Sequence, residues 1–212
     1  MGKIFVIGFN KTATTTFHNL FLANKLKSQH ATIWQPNQFK CFSDNGDLNN
    51  FKELDRKYPG ATFILNVRSL DKWLKSRILH CYSFYLKNNK PNWGYPCSIN
   101  ICKSWIEMRK KHHLEIIEHF KERPHKLIIV NIEKDNWEQY ISDILGLKIK
   151  SVAPANVSKF FEKKVSPSPK IFKSLHKILR ALGYNDSEKS NILLKDSTLA
   201  HKYVKIYRNN IL

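Results

Sequence analysis

A threonine-rich polar loop near the amino terminus has the residue types that bind an oxyanion. The apolar segment Ile4 to Ile7 leads through Gly8 to Lys11, and then to the run Thr12, Ala13, Thr14, Thr15 and Thr16. A helix N-terminus offers unpaired N–H groups and a partial positive charge, threonine hydroxyls donate further hydrogen bonds, and Lys11 adds a full charge. The loop is therefore predicted to bind a phosphate or sulfate group, although threonines here would also serve simply as helix caps.

A second candidate anion contact follows the apolar segment Phe63 to Val67. Arg68 comes directly after that segment, and Ser76 lies eight residues later in a stretch with helical spacing. The guanidinium fork of arginine binds phosphate through two hydrogen bonds, and a serine on the second turn of the next helix can point back across the same anion. Ligands of layered α/β folds bind at the carboxyl ends of the strands, so both loops are expected to lie at the ligand site.

The two loops together resemble those of the sulfotransferases that use 3′-phosphoadenosine 5′-phosphosulfate (PAPS). In that family the 5′-phosphosulfate loop usually reads Lys, Ser or Thr, Gly, Thr, Thr between a strand and a helix. An Arg at a strand end and a Ser eight residues later hold the 3′-phosphate. This chain matches both patterns except at Ala13, where the family normally has Gly. Because alanine adopts a positive φ less readily than glycine, we expect either a negative φ at Ala13 or a slightly distorted loop.

The resemblance implies a donor and a reaction. The donor would be PAPS, and its sulfuryl group would pass to an acceptor hydroxyl or amine, of a carbohydrate or a small metabolite, without a required metal. Lys11 would neutralise the departing phosphate. The loop residues from Thr12 to Thr16, together with Arg68 and Ser76, would bind the donor.

The resemblance also implies where the base that accepts the acceptor proton lies. Relatives have an Asp on a short stretch before the helix that leads to the Arg strand, and Asp44 occupies that place. The Pro that those relatives commonly have two residues later is Gly46 in this chain. Asp47 and His30 remain alternative bases, and Asp44 and Asp47 would alternatively form Asx turns around Gly46.

The elements that must position these residues follow from hydrophobic periodicity. Continuous apolar segments rich in Ile and Val predict parallel strands buried on both faces, over Ile4 to Ile7, Phe63 to Val67 and Leu127 to Val130. Helical segments lie between them, in the order β, α, β, α, α, β, α. We therefore predict an α/β, P-loop-like three-layer fold with a central parallel sheet flanked by helices. Further elements are predicted as a short strand over Ala31 to Trp34, an irregular loop over Asn37 to Asn50, and helices over Asn50 to Lys57 and Trp137 to Leu145.

The composition indicates a single domain over residues 1–212, because 42% hydrophobic residues are enough for a sizeable core. Residues 162–212 are expected to form a basic, mostly helical C-terminal section that contains a helix over Lys170 to Leu182. Lys163 and Lys164 are candidate lid residues over the donor. The formal net charge of +19 favours anionic ligands.

No apolar run is long enough to span a bilayer, and no targeting segment is recognisable. The four cysteines, Cys41, Cys81, Cys97 and Cys102, are scattered without a zinc or redox spacing. We therefore expect a cytoplasmic protein with reduced thiols, no metal site and no membrane span.

Two other classes of protein compete with this interpretation. A nucleic-acid-binding protein would suit the basic charge, but no nucleic-acid-binding module is recognisable, so we expect no nucleic-acid partner. A nucleotide or small-molecule kinase would need a Mg²⁺-binding carboxylate at a strand end, where Asn131 and Glu133 are weak candidates, and the loop lacks the Walker A pattern. The segments Trp93 to Cys97 and Asn37 to Asp47 are expected to shape the acceptor pocket.

Overall fold

Five parallel strands form the central sheet of the computed structural model, which describes residues 2–88, 90 and 98–153. The strands are β1 (Ile4–Val6), β2 (Ser28–His30), β3 (Cys41–Ser43), β4 (Thr62–Val67) and β5 (Leu127–Asn131). Their spatial order is β2-β3-β1-β4-β5, so β1 lies at the centre between β3 and β4. All neighbouring pairs are parallel, which brings the residues after each strand to one edge of the sheet.

Helices cover both faces of this sheet. They are α1 (Thr14–Ala23), α2 (Phe51–Lys57), α3 (Leu70–Asn88), α4 (Ile99–Phe120) and α5 (Trp137–Ile144), with 3₁₀ turns at Gly46–Leu48 and Pro124–Lys126. One face of the sheet packs against α1 and α5, and the other packs against α2 and α4. The predicted three-layer α/β fold is therefore confirmed.

The central strand shows why the apolar segments lack alternation. Ile4 and Val6 pack on the α1 and α5 side of the sheet, whereas Phe5 and Ile7 pack on the α2 and α4 side. Phe5 also stacks on Phe42 of β3, with ring centroids 4.9 Å apart. Because helices bury both faces, every residue of the strand is apolar.

The prediction of a strand over Ala31 to Trp34 is wrong. The strand in this region is β2, Ser28–His30, and Trp34 instead packs its side chain on the core near Phe5 and Phe42. The segment predicted as an irregular loop contains β3. Both strands are three residues long, and a length of three leaves no periodicity to detect.

Several sequence predictions fall outside the described residues. These are the basic section 162–212, its helix over Lys170 to Leu182, the candidate lid residues Lys163 and Lys164, and the loop Trp93 to Cys97. Within the described ranges, no helix is both long and apolar enough to cross a membrane.

Candidate functional site

A buried asparagine on β4 fixes the conformation of the threonine-rich loop. Asn66 Oδ1 accepts a hydrogen bond from Gly8 N at 3.0 Å, and Asn66 Nδ2 donates to Thr12 O at 2.7 Å and to Thr12 Oγ1 at 2.6 Å. The Thr12 hydroxyl in turn donates to Phe9 O. Gly8 is needed for this contact, because an added Cβ would lie 2.3 Å from Asn66 Oδ1. The Thr12 side chain therefore shapes the loop from inside.

The loop reaches α1 through two residues in the left-handed region. Lys11 has φ 64°, and Ala13, the N-cap of α1, has φ 63° and ψ 25°. Of the two alternatives expected at Ala13, a negative φ is excluded, and the alanine adopts a left-handed conformation that glycine tolerates more readily. The first intrahelical bond runs from Phe17 N to Ala13 O at 3.1 Å. The backbone N–H groups of Thr14 to Thr16 lie in the first turn of α1, next to the loop.

Lys11 is half-buried among charged and titratable groups from two other segments. Burial lowers the pKa of Lys11, the negative charge of Asp44 opposes this change, and the positive charge of Arg77 adds to it. The positive charge of Lys11 also lowers the pKa of His80 on α3. Lys11 therefore lies where the loop, the Asp44 segment and α3 meet.

The structure brings two of the three candidate bases together beside the loop. Thr14 Oγ1 donates to Asp44 Oδ1 at 3.4 Å, and His30 Nδ1 lies 3.8 Å from Asp44 Oδ2. The other nitrogen of His30, Nε2, lies 3.1 Å from Thr15 Oγ1. Asp44 directs its carboxylate at the loop and has φ 77°. Thr14 and Thr16 are largely buried, whereas Thr15 is half-buried.

Asp47, the third candidate base, lies in the 3₁₀ turn beneath the end of β1. Burial raises the pKa of Asp47, and the neighbouring His112 opposes that change. His112 Nε2 donates to Ile7 O at 2.7 Å, so both residues lie close to the point where β1 enters the loop. Gly46 permits this close approach, because an added Cβ would lie 2.4 Å from Ile7 Cα.

Arg68 joins the loop to the end of β5. Arg68 Nη1 donates to Lys11 O at 3.4 Å, and Arg68 Nε lies 3.5 Å from Glu133 Oε1. Glu133 also accepts from Ser69 N at 3.1 Å and lies 3.3 Å from Lys72 Nζ. Burial raises the pKa of Glu133, but the hydrogen bonds from Ser69 and the charge of Lys72 outweigh burial and lower it overall. The Glu133 carboxylate is already paired with the cations Arg68 and Lys72. This pairing disfavours Mg²⁺ binding by Glu133, which a kinase would require.

Ser76 and His80 lie one turn apart on the same face of α3. Ser76 is half-buried on the second turn of the helix, at the position that the resemblance implied. Burial, together with the positive charge of Lys11, lowers the pKa of His80 to about 4, so His80 is neutral at neutral pH. His80 is not among the site residues predicted from the sequence. Its spacing of four residues from Ser76 is the signal that would have found it.

Two buried polar residues of the site were also missed, and neither had a sequence signal. Arg77 Nη1 donates to Asn10 Oδ1 at 2.8 Å, and Trp73 Nε1 donates to Asn10 O at 3.1 Å. Arg77 and Asn10 are only 5% and 8% exposed. Helix α3 therefore contacts the loop through Trp73 and Arg77. The helical periodicity of the sequence placed these side chains only in the core or on a charged face.

These loops lie together at the carboxyl edge of a parallel α/β sheet, and comparison with known proteins supplies the family. The family described as "Sulfotransferase domain" matches residues 34–156, which is more than half of the chain. The chain belongs to the sulfotransferase-domain family, whose members transfer sulfuryl groups. The matched region contains Asp44, Arg68 and Ser76, whereas the threonine-rich loop precedes it. No curated protein matches the chain.

Proposed function

We propose that this protein transfers the sulfuryl group of PAPS to an acceptor hydroxyl or amine. The observation that carries the proposal is the contact between the threonine-rich loop and the loop after β4, where Arg68 Nη1 lies 3.4 Å from Lys11 O. These loops are the ones that the resemblance assigns to the 3′-phosphate and to the 5′-phosphosulfate. Their meeting at one edge of the sheet suits a single donor that carries an anionic group at each end.

In this proposal the charges of the site act on the donor in two places. Lys11, with the first-turn N–H groups of α1, stabilises the negative charge that develops on the departing 5′-phosphate. Arg68 and Ser76 bind the 3′-phosphate and so orient the donor for in-line attack. Arg68 keeps this role while paired with Glu133, because a guanidinium has five N–H donors and a phosphate can use those that face the loop.

The transfer itself exchanges one bond of sulfur for another. The bond from sulfur to the bridging oxygen of the 5′-phosphate breaks, and sulfur bonds to the acceptor oxygen or nitrogen. The acceptor proton passes to a base, for which we propose Asp44, because its carboxylate faces the loop beside Thr14 and Lys11. His30 and Asp47 are the alternatives that mutation of Asp44 would separate. We propose a carbohydrate or small-metabolite acceptor.

The first test is calorimetric titration with 3′-phosphoadenosine 5′-phosphate (PAP), the product of the donor. We expect PAP to bind the wild-type protein and to bind Arg68→Ala at least about tenfold more weakly, since a charged hydrogen bond is worth roughly 1.5–3 kcal/mol. The matched control is Arg56→Ala, which removes an exposed arginine of α2 and should leave the affinity unchanged.

ATP serves as the control ligand, because it carries a triphosphate but no 3′-phosphate. Weak or undetectable ATP binding, together with tight PAP binding, would support PAPS as the donor. Absence of PAP binding, or equal affinity for ATP and PAP, would contradict it, and tight ATP binding with Mg²⁺ would favour the kinase alternative.

A further inference from the structure

A chain of side-chain hydrogen bonds runs from the buried Arg77 to the carboxylate of Asp44. Arg77 Nη1 donates to Asn10 Oδ1 at 2.8 Å, and Asn10 Nδ2 donates to Asn45 Oδ1 at 3.1 Å. Asn45 Nδ2 then donates to Asp44 Oδ2 at 3.1 Å. The chain thus connects α3, the threonine-rich loop and the segment after β3.

The chemistry of its two ends sets the direction of every bond in this chain. A guanidinium can only donate, so Asn10 must turn its amide oxygen to Arg77 and its NH₂ group to Asn45. Asn45 must then turn its oxygen to Asn10 and its NH₂ group to Asp44. An ionised carboxylate only accepts, so the last bond matches its partner as well.

Arg77, the first residue of this chain of hydrogen bonds, is rigidly held. The Arg77 guanidinium carbon lies 4.6 Å from the centre of the Trp105 ring and 5.6 Å from that of Trp73. Trp73 itself donates to Asn10 O at 3.1 Å. Arg77 is 5% exposed, so aromatic faces and protein dipoles surround its charge. A donor fixed in this way is able to orient the groups that follow it.

We propose that Asn10 and Asn45 are positioning residues. They orient the Asp44 carboxylate so that one of its two oxygens can take the acceptor proton. This inference rests on the proposed function, in which Asp44 is the base. Asn45 occupies Oδ2, and His30 also lies on that oxygen at 3.8 Å. Among the residues that the structure describes, Oδ1 has only the long 3.4 Å contact with Thr14 Oγ1. Oδ1 is therefore the oxygen that faces the loop and receives the proton.

The backbone at this turn explains why such a support is needed. Asp44 has φ 77° and Asn45 has φ 47°, so two consecutive residues without the freedom of glycine lie in the left-handed region. Asparagine tolerates this region better than most residues, and its side chain also supplies the donor to Asp44. The same residue type thus meets the backbone and the hydrogen-bonding requirement.

The decisive variant is Asn45→Gly, which removes the amide but keeps a residue that tolerates a positive φ. Its matched control is Asn136→Gly, because Asn136 is an exposed asparagine with φ 59° whose side chain makes no capping hydrogen bond. The activity measured is slow release of sulfate from PAPS with water as the acceptor, which needs no knowledge of the natural acceptor. PAP affinity is measured beside it.

We expect Asn45→Gly to release sulfate about 10- to 100-fold more slowly, as a misplaced catalytic group would. Its PAP affinity should stay within about threefold of wild type, and Asn136→Gly should match wild type in both measurements. Equal sulfate release by Asn45→Gly and wild type would overturn the inference and leave the proposed function standing. Absence of PAP binding to wild type would overturn the proposed function, and with it the role of Asp44.

A spectroscopic arm tests the last bond without donor or acceptor. The side-chain NH₂ resonances of Asn45, identified by their loss in Asn45→Gly, should shift as acid protonates Asp44. That shift should disappear in Asp44→Asn. Lys11, His30, Asp47 and His80 also act on or face Asp44, so the comparison with Asp44→Asn isolates its own titration. An Asn45 shift that persists unchanged in Asp44→Asn would overturn the proposed contact.

Discussion

At the scale of single residues, Ala13 holds a backbone conformation that is unfavourable for its type. Its φ of 63° places Cβ close to neighbouring backbone atoms, which glycine would avoid. The packing of the loop on Asn66 and the start of α1 at Thr14 impose this conformation on the residue between them. The loop therefore takes a left-handed turn at a position where the resemblance leads one to expect glycine.

Ala13→Gly should therefore stabilise the protein. Relief of the left-handed strain is worth roughly 1–2 kcal/mol, and the greater freedom of glycine in the unfolded chain removes about half of that. We expect the thermal unfolding midpoint to rise by about 2 °C for a chain of this size. Ala23→Gly, at the end of α1, is the control and should lower the midpoint. A lower midpoint for Ala13→Gly would show that the alanine makes a favourable contact there.

At the scale of elements, the threonine-rich loop depends on a strand to which it is not adjacent in sequence. Asn66 of β4 is fully buried and makes hydrogen bonds to both Gly8 and Thr12, the two ends of the bend that follows β1. The pairing of β1 with β4 sets Phe5 opposite Phe63 and Val6 opposite Ile64, which brings Asn66 level with the loop. The sheet therefore determines the shape of the loop.

Asn66→Ala should lower both stability and PAP affinity. The substitution leaves Gly8 N and the Thr12 groups without their partner, which costs about 1–3 kcal/mol for each buried group left unsatisfied. PAP affinity should fall about tenfold or more because the loop loses its fixed shape. Chemical denaturation and calorimetry measure the two effects.

Leu65→Ala is the control for that experiment, because Leu65 is the buried neighbour on β4 and packs on the α2 and α4 side. We expect it to cost about 2–5 kcal/mol of stability through the cavity it leaves. Its PAP affinity should be retained at temperatures where the variant is folded. Equal loss of PAP affinity in both variants would mean that Asn66 acts only through general stability.

At the scale of the whole molecule, the proposed donor site and an ion cluster around the buried Asp55 lie at opposite ends of the sheet. Asp55 of α2 binds Lys126, which immediately precedes β5, and Arg123 Nη1 lies 2.7 Å from Asp55 Oδ2. His119 of α4 lies 2.8 Å from the same oxygen. The cluster ties α2 and α4 together at the amino ends of the strands. We therefore expect stability and donor binding to be separable by mutation.

Asp55→Asn should destabilise the protein without weakening PAP binding. Removing one member of a buried ion pair costs about 3–5 kcal/mol, since Lys126 is only 9% exposed and would lose its counter-charge. The control is Asp143→Asn, which breaks an exposed pair with Lys150 and should change the unfolding midpoint little. A loss of PAP affinity in folded Asp55→Asn would contradict the separation.

The same cluster predicts a dependence of stability on pH. Burial raises the pKa of Asp55, but hydrogen bonds from Lys126, His119 and Arg123 outweigh burial and lower it below its ordinary 3.8. A lowered pKa in the folded state stabilises the protein above pH 3.8, and this contribution is lost as the pH falls further. Wild type should therefore lose stability more steeply than Asp55→Asn when both are titrated below pH 4.

The sequence by itself determined the core of the sheet and the positions of the two loops predicted to bind anions. The strands β1, β4 and β5 are continuous apolar segments, and local composition reveals a strand that is buried on both faces. Arg68 follows such a strand directly and Lys11 lies in the loop that follows another, so their place at the carboxyl edge could be predicted from order along the chain. Ser76 was implied by the resemblance to the sulfotransferases, through its distance of eight residues from Arg68.

The tertiary structure alone decided how these residues are supported. The strands β2 and β3 have three residues each and no periodicity, so their burial comes from the neighbours with which they pair. The bonds from Asn66 to Thr12 and from Arg77 to Asn10 join residues more than fifty positions apart. No local pattern carries such contacts, because they arise from parallel pairing and from the packing of α3. The environment of Asp44 therefore forms only when these elements pack together in the folded protein.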